Sequence, residues 1–503
     1  MRRRQFLATT MGVAGAIAGR GLSILSSRAA AEPVTVVLSG TVNSLDPSVD
    51  TTQATAVQYN IMEALAKYTP DHKLQPSLAL RWGNINPTTW RVWLRQGIRF
   101  HDGEEFNSVS VKVSVDAFNA SKGFAGSWFS FISDVRPVDN YTVDIITKDP
   151  SAVLPETLPF LYAYPPKYFQ AAGPDLFGQK PMGTGPYKFV EWAKGDHITL
   201  AANSEYWGGA PQIPQLVFRT ATEDSTRVAM VQTGRADLVI NVPPQMIDQV
   251  QKSGVRILTT PSTRRVFVQM SMFDSVLKDV RLRKAVIYAT DTNSIIQNVF
   301  GGHASRAVGI LRPGMVGYAP KNVQSYGFDI QKAKDLMKEA GVPSGFKTDL
   351  FVGVGRLALD KELAEALVGQ WAQAGIDVTL HAMEWGAFLT QAFSGKMPGM
   401  QILSHAPIWW DPDFTWRNQF WSKGTWKYTY TPQGDAMLEA QTRELNVAKR
   451  AVLEQALERY WLDEQAAWVV LYDQQDIYGI NKKLQWTPRS DEYMYFDQAK
   501  FGA

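Results

Sequence analysis

The chain has 503 residues, with 51 Lys and Arg against 48 Asp and Glu, and no cysteine. Without cysteine there are no disulfides, thiolate metal sites, Cys nucleophiles or lipid-anchored thiols. The near balance of charge, with no basic run of five or more, excludes the concentrated Lys/Arg that sequence-independent nucleic-acid binding needs.

The first segment reads as an address label. Arg3-Arg4 precedes Gln5-Phe6-Leu7, an Ala/Gly-rich stretch from Ala8 to Ala18 follows, and Ala29-Ala30-Ala31 offers a small-residue cleavage site. It resembles a twin-arginine export signal, departing from the usual pattern in having Arg2 before the pair. The five charged residues before Glu32 are all arginines, so the remaining 472 residues carry a formal charge of −2. A chain of that size divides into two or three domains at about 150 residues each. Beyond the signal no apolar run approaches the ~20 residues that cross a bilayer. The expected product is a soluble, periplasmic monomer without a lipid anchor.

In chain order, Val34 to Leu38 reads as a buried strand followed by a polar loop from Ser39 to Asp46. Alternation from Thr89 to Phe100, broken at Gly97, predicts a hairpin, with His101-Asp102-Gly103 as the next turn. Leu216 to Phe218, a helix over about 225–233 stopped by Gly234, and Leu238 to Ile240 predict one βαβ unit. Asp349 to Val354, a helix over 359–374 stopped by Gly375, and Ile376 to Leu380 predict another, placing parallel sheets in two separate lobes. Between them, Asp329 to Ala340 carries Ile330, Ala333, Leu336 and Met337 on one helical face. A long helix is expected from about Asn446 to Gln465.

Two stretches carry a family resemblance. One runs from Thr89-Trp90-Arg91 through Gly97-Ile98-Arg99-Phe100-His101-Asp102-Gly103. The other is Gly183-Thr184-Gly185-Pro186-Tyr187-Lys188-Phe189, then Glu191-Trp192, Asn203 and Tyr206-Trp207-Gly208-Gly209-Ala210-Pro211. Together they resemble the family 5 extracellular solute-binding proteins of ABC transporters, over about Val34 to Phe501. The resemblance implies an α/β, two-lobed periplasmic-binding-protein clamp (type II-like) with an additional small α+β domain. Lobe I would comprise 32–62, 176–261 and 473–503, the small domain 63–175 and lobe II 262–472, with hinge crossings near Pro261 and Tyr472. It further implies capture of a small-molecule or peptide ligand by hinge closure and delivery to ABC transporter permease subunits in the inner membrane, with neither catalysis nor cofactor.

Candidate ligand contacts follow from the same resemblance. Five of the sixteen tryptophans fall between Trp409 and Trp426, and aromatic faces stack on sugar rings, planar groups or cations. Trp409 and Trp410 adjoin the family's ligand loop, whereas the others are equally explained as a satellite core. Peptide-binding members carry an acidic residue for the peptide ammonium where this chain has Ile408, which disfavours a free-amino dipeptide. Asp411 is three residues away, although Asp411-Pro412 also fits a helix cap followed by proline at the first helical position. Arg356 lies close to the position of the family's carboxylate-binding arginine. Trp385, His405 and Asn43 complete the candidates, peptide-like compounds and oligosaccharide or opine-like conjugates being the expected cargo.

Two alternatives stand beside this reading, one from another class and one on the same fold. Gly353-Val354-Gly355-Arg356-Leu357-Ala358 fits a G-x-G-x-x-A dinucleotide fingerprint between strand and helix, which would suit an exported oxidoreductase. A nickel-chelate or haem carrier would rely on the six histidines, yet these are scattered and show no metal-ligand spacing.

Overall fold

The computed structural model describes residues 32–324 and 326–502, and the signal-like segment 1–31 lies outside them. Strand Val34–Leu38 forms from an unbroken run of strand-favouring residues, fully buried except at Thr35. It pairs in parallel with Gln215–Thr220 on one side and Leu238–Val239 on the other. The first βαβ unit therefore steps over the N-terminal strand through helix Asp224–Gln232. In the second unit, Phe346–Val354 and Ile376–Glu384 pair directly and in parallel, with Asp360–Ala374 as the crossover helix.

The expectation of two separate sheets is corrected by the structure. One eleven-stranded sheet runs through the molecule, joining both units. Two long strands make the junction: Arg256–Met270, 15 residues, and Trp468–Ile480, 13 residues, pair antiparallel and extend into both halves. Their ladder holds from Arg256↔Ile480 to Pro261↔Gln475 and resumes at Arg265↔Asp473. Pro261 has no N–H to give the ladder. Thr263 N–H turns to Ser490 O at 2.8 Å, and Arg264 N–H turns to Ser262 Oγ at 3.1 Å.

The cores divide at that break. On the C-terminal side, Val266, Val268 and Met270 face one apolar cluster and Phe267 the other, as strand alternation requires. On the N-terminal side, one cluster gathers Val37, Val228, Val239 and Val250. A larger one unites the opposite sheet face with a small α+β module.

That module contains a four-stranded antiparallel sheet in the order Ala79–Asn86, Thr89–Leu94, Thr142–Thr147, Ile132–Asp139. Helix Ser108–Ala120, capped by Asn107, buries Val111, Val115 and Phe118. The hairpin expected within Thr89 to Phe100 does not form. Its turn comes earlier, where Asn86 pairs with Thr89 and Asn86 Oδ1 accepts from Thr88 N–H at 3.0 Å.

The family-like motifs meet in this region as packing. His101 bonds Gly185 O through Nε2 at 3.0 Å, and burial pushes its pKa down to about 4. A Cβ at Gly183 would lie 2.2 Å from Ile61 O, so only glycine fits. Thr184, Tyr206 and Trp207 all donate to the Glu63 carboxylate, at 2.8, 2.9 and 2.8 Å.

Candidate functional site

The loop 404–411 leaves strand Met400–His405 and inserts into the opposite half. Trp409 and Trp410 are 6 and 8% exposed and, with Met315 and Phe414, join the large core of the N-terminal half and small module. Trp409 packs edge-on against Trp128 and lies against Phe160, at ring separations of 6.0 and 6.3 Å. Trp410 stacks on His72 at 3.7 Å, its backbone N–H donates to Tyr68 Oη at 2.9 Å, and its Nε1 donates to Pro313 O at 3.1 Å. Ile408, half-buried, accepts at its carbonyl from Tyr493 Oη at 3.4 Å. The remaining three tryptophans belong to the C-terminal half, so the sequence cluster is split between two cores.

Asp411 does not carry a free carboxylate, which corrects its place among the candidate contacts. Its oxygens accept from Arg450 Nη1 and Nη2, both at 2.6 Å, while Oδ1 caps helix Pro412–Gln419 through Asp413 N–H at 2.9 Å. His405 is likewise committed: buried, 3.0 Å from Thr415 Oγ1 through Nε2, and held neutral by burial and by Arg312 and Arg264, with a pKa of about 3. Asn43 is exposed, its backbone N–H on Asp50 Oδ2 at 2.9 Å, and no hydrogen bond ties it to the loop 404–411 among the described residues.

Arg356 and Trp385 do come together. The guanidinium lies 5.9 Å over the indole, which itself stacks on Phe388 and rests against Gly353. The Arg356 side chain has no hydrogen-bond acceptor or ion pair among the described residues. Although Arg356 is exposed, the positive charge of Arg264 lowers its pKa to about 10 against the opposing charge of Glu492.

Arg264 belongs to a group the sequence did not single out. It pairs with Glu492 through Nη2 and Nε at 2.8 and 3.1 Å, and Arg265 pairs with Asp473 at 2.7 and 2.8 Å. Arg312, 5% exposed, gives one bond to His405 O at 3.2 Å, and its Nε has no partner among the described residues. Burial first, then the charges of Arg265 and Arg264, pull its pKa down to about 9 despite Asp473. Asp476 lies near Arg264 as well, and burial and the neighbouring Glu492 push its pKa well up. Four guanidiniums therefore face two paired carboxylates where the halves meet. The only sequence signal was Arg264-Arg265 beside the strand break, and an arginine pair is too common to identify a site.

The dinucleotide fingerprint is occupied by the chain itself. Asp360 Oδ2 accepts from the N–H groups of Gly355, Arg356 and Leu357 at 2.7, 3.2 and 3.4 Å. A phosphate would need those same donors.

A second contact across the halves is acidic. Tyr68 Oη donates to Glu156 Oε2 at 2.7 Å while accepting from Trp410 N–H. Burial, then the charge of Asp411, raises Glu156 to a pKa of about 7, the Tyr68 bond opposing them. Because this pKa is raised, ionisation works against the joined arrangement: the penalty is absent below Glu156's ordinary value near 4.5 and complete above pH 7. Small-angle scattering without added solute should show a more compact protein at pH 5 than at pH 8, and Glu156→Gln should abolish most of that difference. An unchanged difference in the variant would refute Glu156 as its source.

A family model for bacterial extracellular solute-binding proteins, family 5 (Middle), matches residues 73–427. The chain belongs to this family. It is similar to the glutathione-binding protein GsiB of Pectobacterium atrosepticum, with 27% identity over 476 residues covering 90% of this chain and 91% of that protein. Its fold matches the periplasmic binding protein DppA of Helicobacter pylori in complex with the peptide STSA, with a TM-score of 0.80 and 22% identity over 94% of this chain and 98% of that one. AgaA of A. tumefaciens R10, in complex with agropinic acid, gives a TM-score of 0.79 and 23% identity over 94 and 99%. Membership of family 5 makes this chain a solute-binding protein of ABC transporters, on a two-lobed fold. Among the described residues no helix is long and apolar enough to cross a membrane.

Proposed function

We propose that this family member captures an acidic, peptide-like solute between its lobes and releases it unchanged. Arg356 supports this reading most: its exposed guanidinium lies beside an aromatic face and near the Arg264–Glu492 pair, with no hydrogen-bonded acceptor among the described residues. A ligand carboxylate would supply the missing partner, bidentately if its plane matches the guanidinium. Trp385 would then flank the ligand, with Ile408, Trp409 and Trp410 covering it. An opine-like acid meets the same requirement, whereas Ile408 gives no help to a free peptide ammonium.

In this reading the hinge lies at Ser262 to Arg264 and the facing residues around Gln474, and lobe I, the small domain and lobe II follow the boundaries expected from the family. Residues 1–31 direct twin-arginine export to the periplasm, where the protein works as a soluble monomer. The similarity to a glutathione-binding protein makes reduced glutathione the first probe, with N-acetyl-trialanine amide, which has no carboxylate, as a neutral control. Glutathione should raise the melting temperature and the blocked trialanine should not. Arg356→Gln should weaken glutathione binding by about 10- to 100-fold, in line with about 1.5–3 kcal/mol for a charged hydrogen bond, while leaving the protein's own melting point nearly unchanged. Equal binding of both probes, or turnover of glutathione, would refute this assignment.

A further inference from the structure

Arg312 is the buried cation that the proposed carboxylate contact leaves unexplained. The segment bearing it is tightly held: Glu458 Oε1 accepts from Ile310 and Leu311 N–H at 2.6 and 2.8 Å, and Arg265 Nη1 donates to Gly309 O at 2.6 Å. Trp410 Nε1 binds Pro313 O on the far side. Arg312 therefore cannot swing freely to water while Trp410 is seated. The charged and titratable groups around it are Arg264, Arg265, Asp473, His405 and His72. Both carboxylates of the immediate group are already paired with Arg264 and Arg265. The buried His72 Nδ1, in the ring stacked on Trp410, also has no partner among the described residues.

We infer that Arg312 is a specificity-determining residue that reads a second acidic group of the solute and opposes closure until that group arrives. The argument rests on the acidic peptide-like reading above for ligand class, but its physical basis is separate. Removing a cation from water without a counter-ion is strongly unfavourable. Closure sets His72 of the small domain on Trp410 and beside Arg312; with no anion present this incurs that penalty in the closed state and not in the open one, so the open state is favoured. An entering anion relieves it, which gives the differential affinity that a ligand needs to shift a two-state equilibrium. A solute with one carboxylate satisfies Arg356 alone and leaves the penalty at Arg312.

Two measurements test this. In scattering without added solute, Arg312→Met should have a smaller radius of gyration than the wild type, whereas Arg312→Lys should remain open because it keeps the charge. In calorimetry the probes are reduced glutathione, with two carboxylates, its glycyl monoethyl ester, and γ-aminobutyryl-cysteinylglycine, each of the latter with one. The wild type should prefer glutathione over both by tenfold or more. In Arg312→Met, one of the two deficits should fall to within about threefold, identifying the group that Arg312 reads. An unchanged radius in Arg312→Met, or persistence of both deficits, would overturn the inference. If no probe binds the wild type but Arg312→Met still compacts, closure control by Arg312 stands and the peptide-like ligand class falls.

Discussion

Replacing Arg450 with methionine is expected to cost about 3–5 kcal/mol of folding stability, the usual consequence of removing one partner from a buried ion pair. Arg450 is 5% exposed, and its guanidinium meets both Asp411 oxygens, Gln441 Oε1 at 2.9 Å and Glu454 Oε1 at 3.2 Å. Asp411, 2% exposed, has no other cation within ion-pair distance among the described residues. The variant therefore leaves a carboxylate in the core with little to offset it. Urea denaturation should show the loss as a shift in midpoint. Asp411→Asn should also be destabilising, because it removes the charge that Arg450 requires. If Asp411→Asn instead melts like the wild type and only its ligand affinity falls, the structural assignment of Asp411 is wrong.

Trp410→Ala should act on the opposite quantity. Burying an indole of some 200 Å² is worth about 5 kcal/mol at 25 cal/mol per Å², an upper bound. Much of the surface covering Trp410 belongs to the other half: its ring stacks on His72, and its neighbour Trp409 packs on Trp128 and Phe160. Those contacts stabilise the closed state without contributing to either lobe alone. Binding should weaken by about 10- to 100-fold, or about 1.4–2.8 kcal/mol, with only a small change in melting temperature. Titration calorimetry with glutathione measures the first quantity and a thermal scan the second. Wild-type affinity in Trp410→Ala would show that the loop 404–411 does not secure closure.

These variants also separate what could be read from the chain. Strand Val34–Leu38 was visible because five strand-favouring residues occur together, and helix Ile330–Glu339 because its apolar residues share one face and Asp329 caps it. Local signals fixed local elements. The hairpin turn was misplaced because Gly97 and Gly103 are more conspicuous than the Pro87-Thr88 turn, although both glycines only shape loops beyond the strand. Continuity of the sheet was hidden for another reason: pairing between residues 256–270 and 468–480 joins segments some two hundred positions apart. The same distance obscured Arg264 and Glu492, whose pairing depends on where the C-terminal segment returns. Asp411 was ambiguous because capping and ligand contact favour the same side chain, and only Arg450, 39 positions away, distinguishes them.

The junction between the halves has a mechanical consequence. Two neighbouring strands, interrupted at the same level, resemble a leaf spring thinned along one line. Bending there is soft, whereas shear or separation would break the ladders on both sides. Different cargoes should thus drive the same swing and leave the same outer contour, whatever is held inside.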